Sequence, residues 1–335
     1  MQIIQVTPGA PIKDVQRRLQ ALGLWTSVFE DASGQKALVA SSASAGVPTS
    51  RLLQVEGVSQ VLAKKDGMPL VREQGRVVQV GPHAIGAGQP VFMAGPCSVE
   101  SEAQIHEAAK MVASQGATFL RGGCFKPRTS PYSFRGVGSV GLKWMRDAAR
   151  PYGMKVITEA MSIEQVSDVA EFADVFQVGA RNMQNFDLLH AIGRANMPVL
   201  LKRGLSATIE EWLLAGEHLL DAGAQSVIYC ERGVRSFDGQ TRFLLDLAAV
   251  VLLQEHYGVP VIVDPSHAAG RKDLIPKLGL GALACGADGL IIETHPHPED
   301  AKSDGPQQFN PEELAAASAL WGFASRSQPV PDMAS

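Results

Sequence analysis

Cysteine is scarce in this chain of 335 residues: Cys97, Cys124, Cys230 and Cys285 are too few and too scattered for a disulfide framework. No CxxC pair offers a zinc knuckle, and a reducing cytoplasm is the expected compartment. Long apolar runs are missing too. The longest, near Leu247–Leu253, falls far short of the roughly 20 residues that cross a bilayer, so no membrane association is expected. The opening MQIIQVTPGAP has no basic stretch followed by an apolar one, and no signal peptide is expected. Charge of one sign is also lacking: a formal net charge of −4 gives no global attraction for nucleic acid, so any cationic cluster should serve a local anionic ligand.

What is present is ordinary for a protein with a large core, 45% hydrophobic and 19% charged residues. The length suits a barrel of about 250 residues plus a small appendage. Residues 1–65 read as strand (Ile3–Val6), helix (Ile12–Leu22), strands (Trp25–Phe29 and Lys36–Ala40), helix (Pro48–Val55) and strand (Val58–Ala63), the βαββαβ order of a ferredoxin-like sandwich. Residues 66–90 read as a linker with a hairpin in LVREQGRVVQV, residues 91–325 as the main domain, and 326–335 as a flexible tail.

From residue 91 the chain alternates apolar runs with amphipathic segments. Eight candidate strands end in polar or Gly-rich clusters: VFMAGPC (91–97), ATFLRGG (117–123), KVITEA (155–160), VFQVGA (175–180), PVLLKRG (198–204), SVIYCERG (226–233), PVIVDPSH (260–267) and GLIIETH (289–295). Continuous apolar runs mark strands buried on both faces, and helices between them imply parallel crossovers. Eight such units predict a closed α/β (β/α)8 TIM barrel. The rival open sheet lacks its dinucleotide fingerprint GxGxxG after the first strand of the repeat.

Barrel enzymes carry their chemistry where the strands meet the βα loops. Cys97 closes the first barrel strand, His267 the seventh, Glu293 sits late in the eighth and Asp304 in the loop beyond it. Strand eight pairs with strand one in a closed barrel, so a thiolate, an imidazole and two carboxylates converge, a set suited to one divalent metal such as Mn, Fe, Co or Zn. Each residue alone has a bland reading as a core cysteine or a solvated acid. His295 and His297 are competing donors, with Pro296 between them breaking any regular strand.

A second constellation is cationic: Arg121, Lys126, Arg128, Arg181, Lys202, Arg203, Arg232 and Arg235. One phosphate would need two or three of these, so eight suggest two phosphates and a carboxylate. Adjacent Lys202 and Arg203 cannot both point inward, and Arg203 and Arg235 are the first candidates for ordinary structural residues.

The stretches AGPCSVES, LRGGCFKPRTSPYSFRG, VITEA, QVGARNMQNFDLL, PVLLKRG, CERGVRSF, VDPSHAAGR and ETHPHPEDAKSDG, in this order from about residue 90 to 310, resemble the type I beta group of 3-deoxy-D-arabino-heptulosonate-7-phosphate (DAHP) synthases. The resemblance implies a cytoplasmic transferase of the shikimate pathway that condenses phosphoenolpyruvate with erythrose 4-phosphate and needs a divalent metal. It would place the metal on Cys97, His267, Glu293 and Asp304, and phosphoenolpyruvate on Arg121, Arg181, Lys202 and Arg232. Erythrose 4-phosphate would meet Lys126, Arg128 and Thr129, with Asp264 near its hydroxyls and Glu159 ordering a water or a lysine; Lys126, Glu159 and Asp264 are thereby the catalytic candidates.

KPRTSP stands where the sister synthase making 3-deoxy-manno-octulosonate 8-phosphate carries a KANRSS-like stretch, which favours the four-carbon aldose. A Schiff-base aldolase using Lys202 or Lys126, and a barrel retained only to sense metabolites, are the alternatives. Residues 1–65 resemble the group's regulatory domain in outline, which implies an aromatic amino acid effector, Tyr or Phe, and a homotetramer is expected.

Overall fold

The computed structural model describes residues 2–30, 34, 36–41, 47, 49–63, 67–126 and 132–326. Two compact units divide the chain, 1–67 and 68–335. Arg128 and Thr129 lie outside the described residues, as do residue 66 and 327–335 of the expected linker and tail.

In the first unit, strands β1 (Gln2–Val6), β2 (Thr26–Glu30), β3 (Lys36–Ala40) and β4 (Val58–Ala63) form one antiparallel sheet in the order β2-β3-β1-β4. The helix Ile12–Ala21 buries Val15 and Leu19, which are four positions apart and so share a face. They pack with Ile4 and Leu38 of the sheet and Leu52 of the short helix Thr49–Leu52. This is the expected ferredoxin-like order, with the second helix cut to one turn.

The second unit opens differently from expectation. Residues Pro69–Glu73 are helical, with proline in the first turn, and the Glu217 carboxylate accepts the Leu70 and Val71 amides at 3.0 and 2.9 Å. The hairpin lies further on, between β5 (Val78–Val80) and β6 (His83–Ile85). A capping carboxylate from 147 residues away is invisible to local pattern, which is why the start of this stretch reads as strand.

Eight parallel strands then close a barrel: β7 (Val91–Gly95), β8 (Phe119–Arg121), β9 (Lys155–Glu159), β10 (Val175–Val178), β11 (Pro198–Lys202), β12 (Ser226–Glu231), β13 (Val261–Val263) and β14 (Gly289–Glu293), with β14 pairing back onto β7. Side chains alternate along each strand. Phe92, Leu120, Val156, Phe176, Leu201 and Ile292 face the surrounding helices. Met93, Phe119, Ile157, Val175, Leu200, Cys230, Ile262 and Ile291 fill the interior, joined by Val78, Val80 and Ile85 of the hairpin. The hairpin plugs the N-terminal mouth: His83 packs on Phe119 with ring centroids 5.4 Å apart, and Gln74 binds Val227 at a strand start.

Two residues beyond this apolar layer the same inward positions carry Arg121, Glu159, Gln177, Lys202, Arg232, Asp264 and Glu293. The period of two that builds the core therefore also aims a polar layer at the C-terminal mouth.

Candidate active site

The polar layer floors a cavity of about 370 Å³, lined by six basic side chains, Arg121, Lys126, Arg181, Lys202, Arg232 and Arg242, and by Glu159, Gln177, His267 and Asp304. Arg121 and Lys202 are nearly inaccessible to solvent, and each needs a counter-charge. Arg121 Nη1 donates to Glu293 Oε1 at 2.9 Å and to the Pro96 carbonyl at 2.9 Å. Lys202 Nζ donates to Asp264 Oδ2 at 2.6 Å. Arg232 lies over the Phe243 ring at 4.3 Å, and burial lowers its pKa. Its Nη1 and the Nε of Arg121 are buried with no hydrogen-bond partner among the described residues, an arrangement that costs free energy unless an anion completes it.

At one end of the cavity Cys97 Sγ, a Glu293 oxygen and an Asp304 oxygen lie within 4.8 Å of one another. His267 adjoins them, its Nε2 3.4 Å from Glu293 Oε1 and its Nδ1 2.7 Å from Asp264 Oδ2. Burial pushes the His267 pKa down, against the pull of Asp264 and Glu293. Burial would raise Glu293, but the fields of His267, Arg121 and Lys126 outweigh it and hold the carboxyl down at about 2. The same contest at Asp264 is won by His267 and Lys202, which keep it ionised well below the usual range. Burial, helped by Glu293, pushes the Cys97 thiol up, against Lys126, whose Nζ is 3.0 Å from the sulfur. A buried thiol between two carboxylates is poorly satisfied alone, and the donor set fits a divalent ion that would stabilise its thiolate.

The sequence-predicted residues fall into three groups. Arg121, Lys126, Glu159, Arg181, Lys202, Arg232, His267 and Asp304 line the cavity, and Cys97 and Glu293 stand directly behind its wall. Asp264, in the same inward layer, is buried and outside the cavity lining; it touches Lys202 and His267, so it orients both and reaches the cavity through them. Arg203 turns into Glu231 and Asp246, at 3.0 and 2.8 Å, and stacks over Trp212. Arg235 is exposed. His297 is exposed beside Glu107, and His295 accepts the His297 amide at 3.0 Å on Nδ1, away from the sulfur cluster.

Sequence reasoning missed the residues that tie this site together. Gln308, fully buried, accepts the Cys97 amide at 2.9 Å and donates to the Ser303 carbonyl at 2.8 Å, so one side chain spans both donor-bearing loops. Gln307 donates to Glu293 Oε2 and accepts from Arg242 at 3.2 Å. Ser98 and Ser303 are hydroxyl to hydroxyl, and Glu100 accepts the Lys302 amide at 2.7 Å. These bonds hold Asp304 at φ +47°, a left-handed conformation that a non-glycine residue adopts only when its surroundings impose it. At Gly179 a Cβ would collide with the Glu159 carboxylate, so glycine is required there for Glu159 to reach the cavity.

Comparison with known proteins places the chain in a family. A curated phospho-2-dehydro-3-deoxyheptonate aldolase of Thermotoga maritima is 49% identical over 234 residues, 70% of this chain and 69% of that protein. A 2-dehydro-3-deoxyphosphooctonate aldolase of Acidithiobacillus ferrooxidans is 33% identical over 243 residues, covering 67% of this chain and 85% of its own. The crystal structure of the phospho-2-dehydro-3-deoxyheptonate aldolase (DAHP synthase) of Thermotoga maritima superposes with a TM-score of 0.75, 38% identity and 98% coverage of both chains. Residues 69–327 match the model of the DAHP synthetase I family, and with the barrel, its polar floor and these relatives in agreement, the chain is an enzyme that belongs to that family.

Proposed function

We propose that this chain is a metal-dependent DAHP synthase of the shikimate pathway, joining phosphoenolpyruvate to erythrose 4-phosphate with uptake of one water and release of phosphate. The observation that carries the reading is the meeting of Cys97, Glu293 and Asp304 at the end of a cavity lined by six basic side chains. Two phosphorylated anions repel each other in water, and fixed arginines and lysines turn that encounter into a near-attack pair. Arg121, Arg181, Lys202 and Arg232 hold the phosphoenolpyruvate carboxylate and phosphate; the buried, unpartnered nitrogens of Arg121 and Arg232 are suited to such an anion. Lys126, with Arg128 and Thr129 of the same KPRTSP stretch, receives the aldose. Lys126 Nζ gives its proton to the aldehyde oxygen as the carbon–carbon bond forms, and Glu159, beside Gln177, orders water on the cavity floor.

Cys97, His267, Glu293 and Asp304 would hold one divalent ion, Mn, Fe, Co or Zn. When bound it supplies Lewis-acid polarisation of the aldehyde. The greater identity to the heptonate enzyme than to the octonate enzyme supports the four-carbon aldose. Turnover is tested by offering erythrose 4-phosphate and arabinose 5-phosphate beside phosphoenolpyruvate, with and without a chelator. Preference for arabinose 5-phosphate, or full activity after chelation, sinks the assignment; borohydride trapping of a substrate adduct would point to the Schiff-base aldolase instead.

The ferredoxin-like unit is read as the seat of feedback regulation by Tyr or Phe, in a cytoplasmic homotetramer. Activity titrated with each aromatic amino acid, and mass by light scattering, test the two statements.

A further inference from the structure

Lys126 and Cys97 make a contact that the proposed reaction does not need. The ammonium Nζ lies 3.0 Å from Sγ and 2.7 Å from the Cys97 carbonyl oxygen. The lysine stem is held in place over Gly123, where a Cβ would come within 2.8 Å of Cδ and 3.0 Å of Nζ. Gly123 is fixed to the same segment by its amide, which donates to the Cys97 carbonyl at 3.1 Å, and the amide of Lys126 donates to the Arg135 carbonyl at 3.0 Å. Ordering entropy for a reaction between sulfur and nitrogen has therefore already been spent in folding.

We propose that Cys97 and Lys126 form a site of reversible oxidative cross-linking, closed by hydrogen peroxide when no metal ion occupies the sulfur. The inference uses residues assigned above to metal and aldose binding, but it stands on their contact and is read without any turnover. In the first step the sulfur attacks peroxide, the O–O bond breaks, and the thiol and peroxide become a sulfenic acid and one water. In the second the Lys126 ammonium gives one proton to solvent, its neutral nitrogen attacks sulfur, the S–O bond breaks, and the leaving hydroxide takes a second proton from nitrogen and departs as water, giving Cys97–S–NH–Lys126. Sulfur is oxidised by two electrons and peroxide is reduced to water. Condensation of a sulfenic acid with nitrogen is an established branch of cysteine oxidation.

Three features direct Cys97 to this branch. Peroxide comes within one side chain of the buried sulfur, because Lys126 and Asp304, both in hydrogen-bonding distance of Sγ, line the cavity, and it reaches Sγ when one of them swings aside. No resolving thiol is joined to it, since all four cysteines are free and the Cys124 thiol lies against Met145 Sδ at 3.6 Å. Of the two groups touching the sulfur, the amine is the one that makes a durable bond, since a carboxylate adduct hydrolyses. The link removes one metal donor and one substrate cation together while sparing the sulfur from irreversible sulfinic acid. Two equivalents of an added thiol reverse it, returning thiol and amine and leaving the reductant as a disulfide.

The test is peptide mass mapping of the full chain, stripped by chelator and exposed to hydrogen peroxide. The expected product joins the Cys97 and Lys126 peptides with the loss of two hydrogen atoms. Dithiothreitol should abolish it and restore stoichiometric cobalt binding, and prior loading with cobalt should prevent it. A joined peptide carrying one further oxygen, an N–O–S bridge made with a second peroxide, also supports the site. Lys126→Arg should lose the joined peptide and accumulate Cys97 sulfinic acid. Cys97 recovered from the wild-type chain only as sulfinic or sulfonic acid, or in a disulfide, with Lys126 unmodified, overturns the proposal.

Discussion

Gln308→Ala is the substitution that separates a positioning network from a merely well-packed loop. The change leaves the Cys97 amide and the Ser303 carbonyl, both buried, without their partner. Each orphaned group costs about 1–3 kcal/mol, so a loss of roughly 2–6 kcal/mol is the expected range, and less if water enters the gap. Both groups belong to loops that carry a proposed metal donor, and removal of such outer partners typically weakens metal affinity by about 10–100-fold. The assay is titration of the chelator-treated protein with cobalt, following the thiolate-to-metal charge-transfer band, beside a thermal melt. A lowered melting temperature with a weaker and blurred charge-transfer band is the expected result. A variant with wild-type cobalt affinity and band shape would refute the reasoning, because Cys97 and Asp304 would then hold their places without the amide that spans them.

Other perturbations address other parts of the design. Gly179→Ala should drive the Glu159 carboxylate out of its place and lower kcat by about 10-fold or more while the melting temperature changes little; unchanged kcat would remove Glu159 from the reaction. Arg203→Met leaves the buried Glu231 without its cationic partner and should cost about 3–5 kcal/mol in chemical denaturation. Burial pushes the Cys124 thiol up to about 12, so its thiolate is scarce at pH 8 and becomes abundant only as pH approaches that value. Iodoacetamide at pH 8 should therefore label the partly exposed Cys285 first and leave Cys124 intact until unfolding, and early labelling of Cys124 by mass spectrometry would contradict its burial.

Much of this architecture was legible because one periodicity does two jobs. The run VFMAG is apolar on both faces because helices cover one side and the barrel interior the other, and the same alternation that buries Ile291 delivers Glu293 to the mouth. Cys97, His267, Glu293 and Asp304 could be grouped from sequence because barrel closure brings β14 beside β7. Gln307, Gln308 and Arg242 could not. A glutamine in a loop has no signature before its partners are known, and the partners of Gln308 include Cys97, 211 positions away. The helix at Pro69–Glu73 escaped for the same reason, its cap being Glu217 on another segment. Asp264 was recognised as belonging to the site, but its cover was not: a strand end gives the direction of a side chain and leaves open which neighbours, here Lys202 and His267, close over it.

The packed apolar interior, with the hairpin seated beneath it, closes the far side of the barrel, and among the described residues the cavity has one door. Whatever enters must leave by the same opening, so a molecule seated on the Arg121 and Lys202 floor is trapped beneath any later arrival.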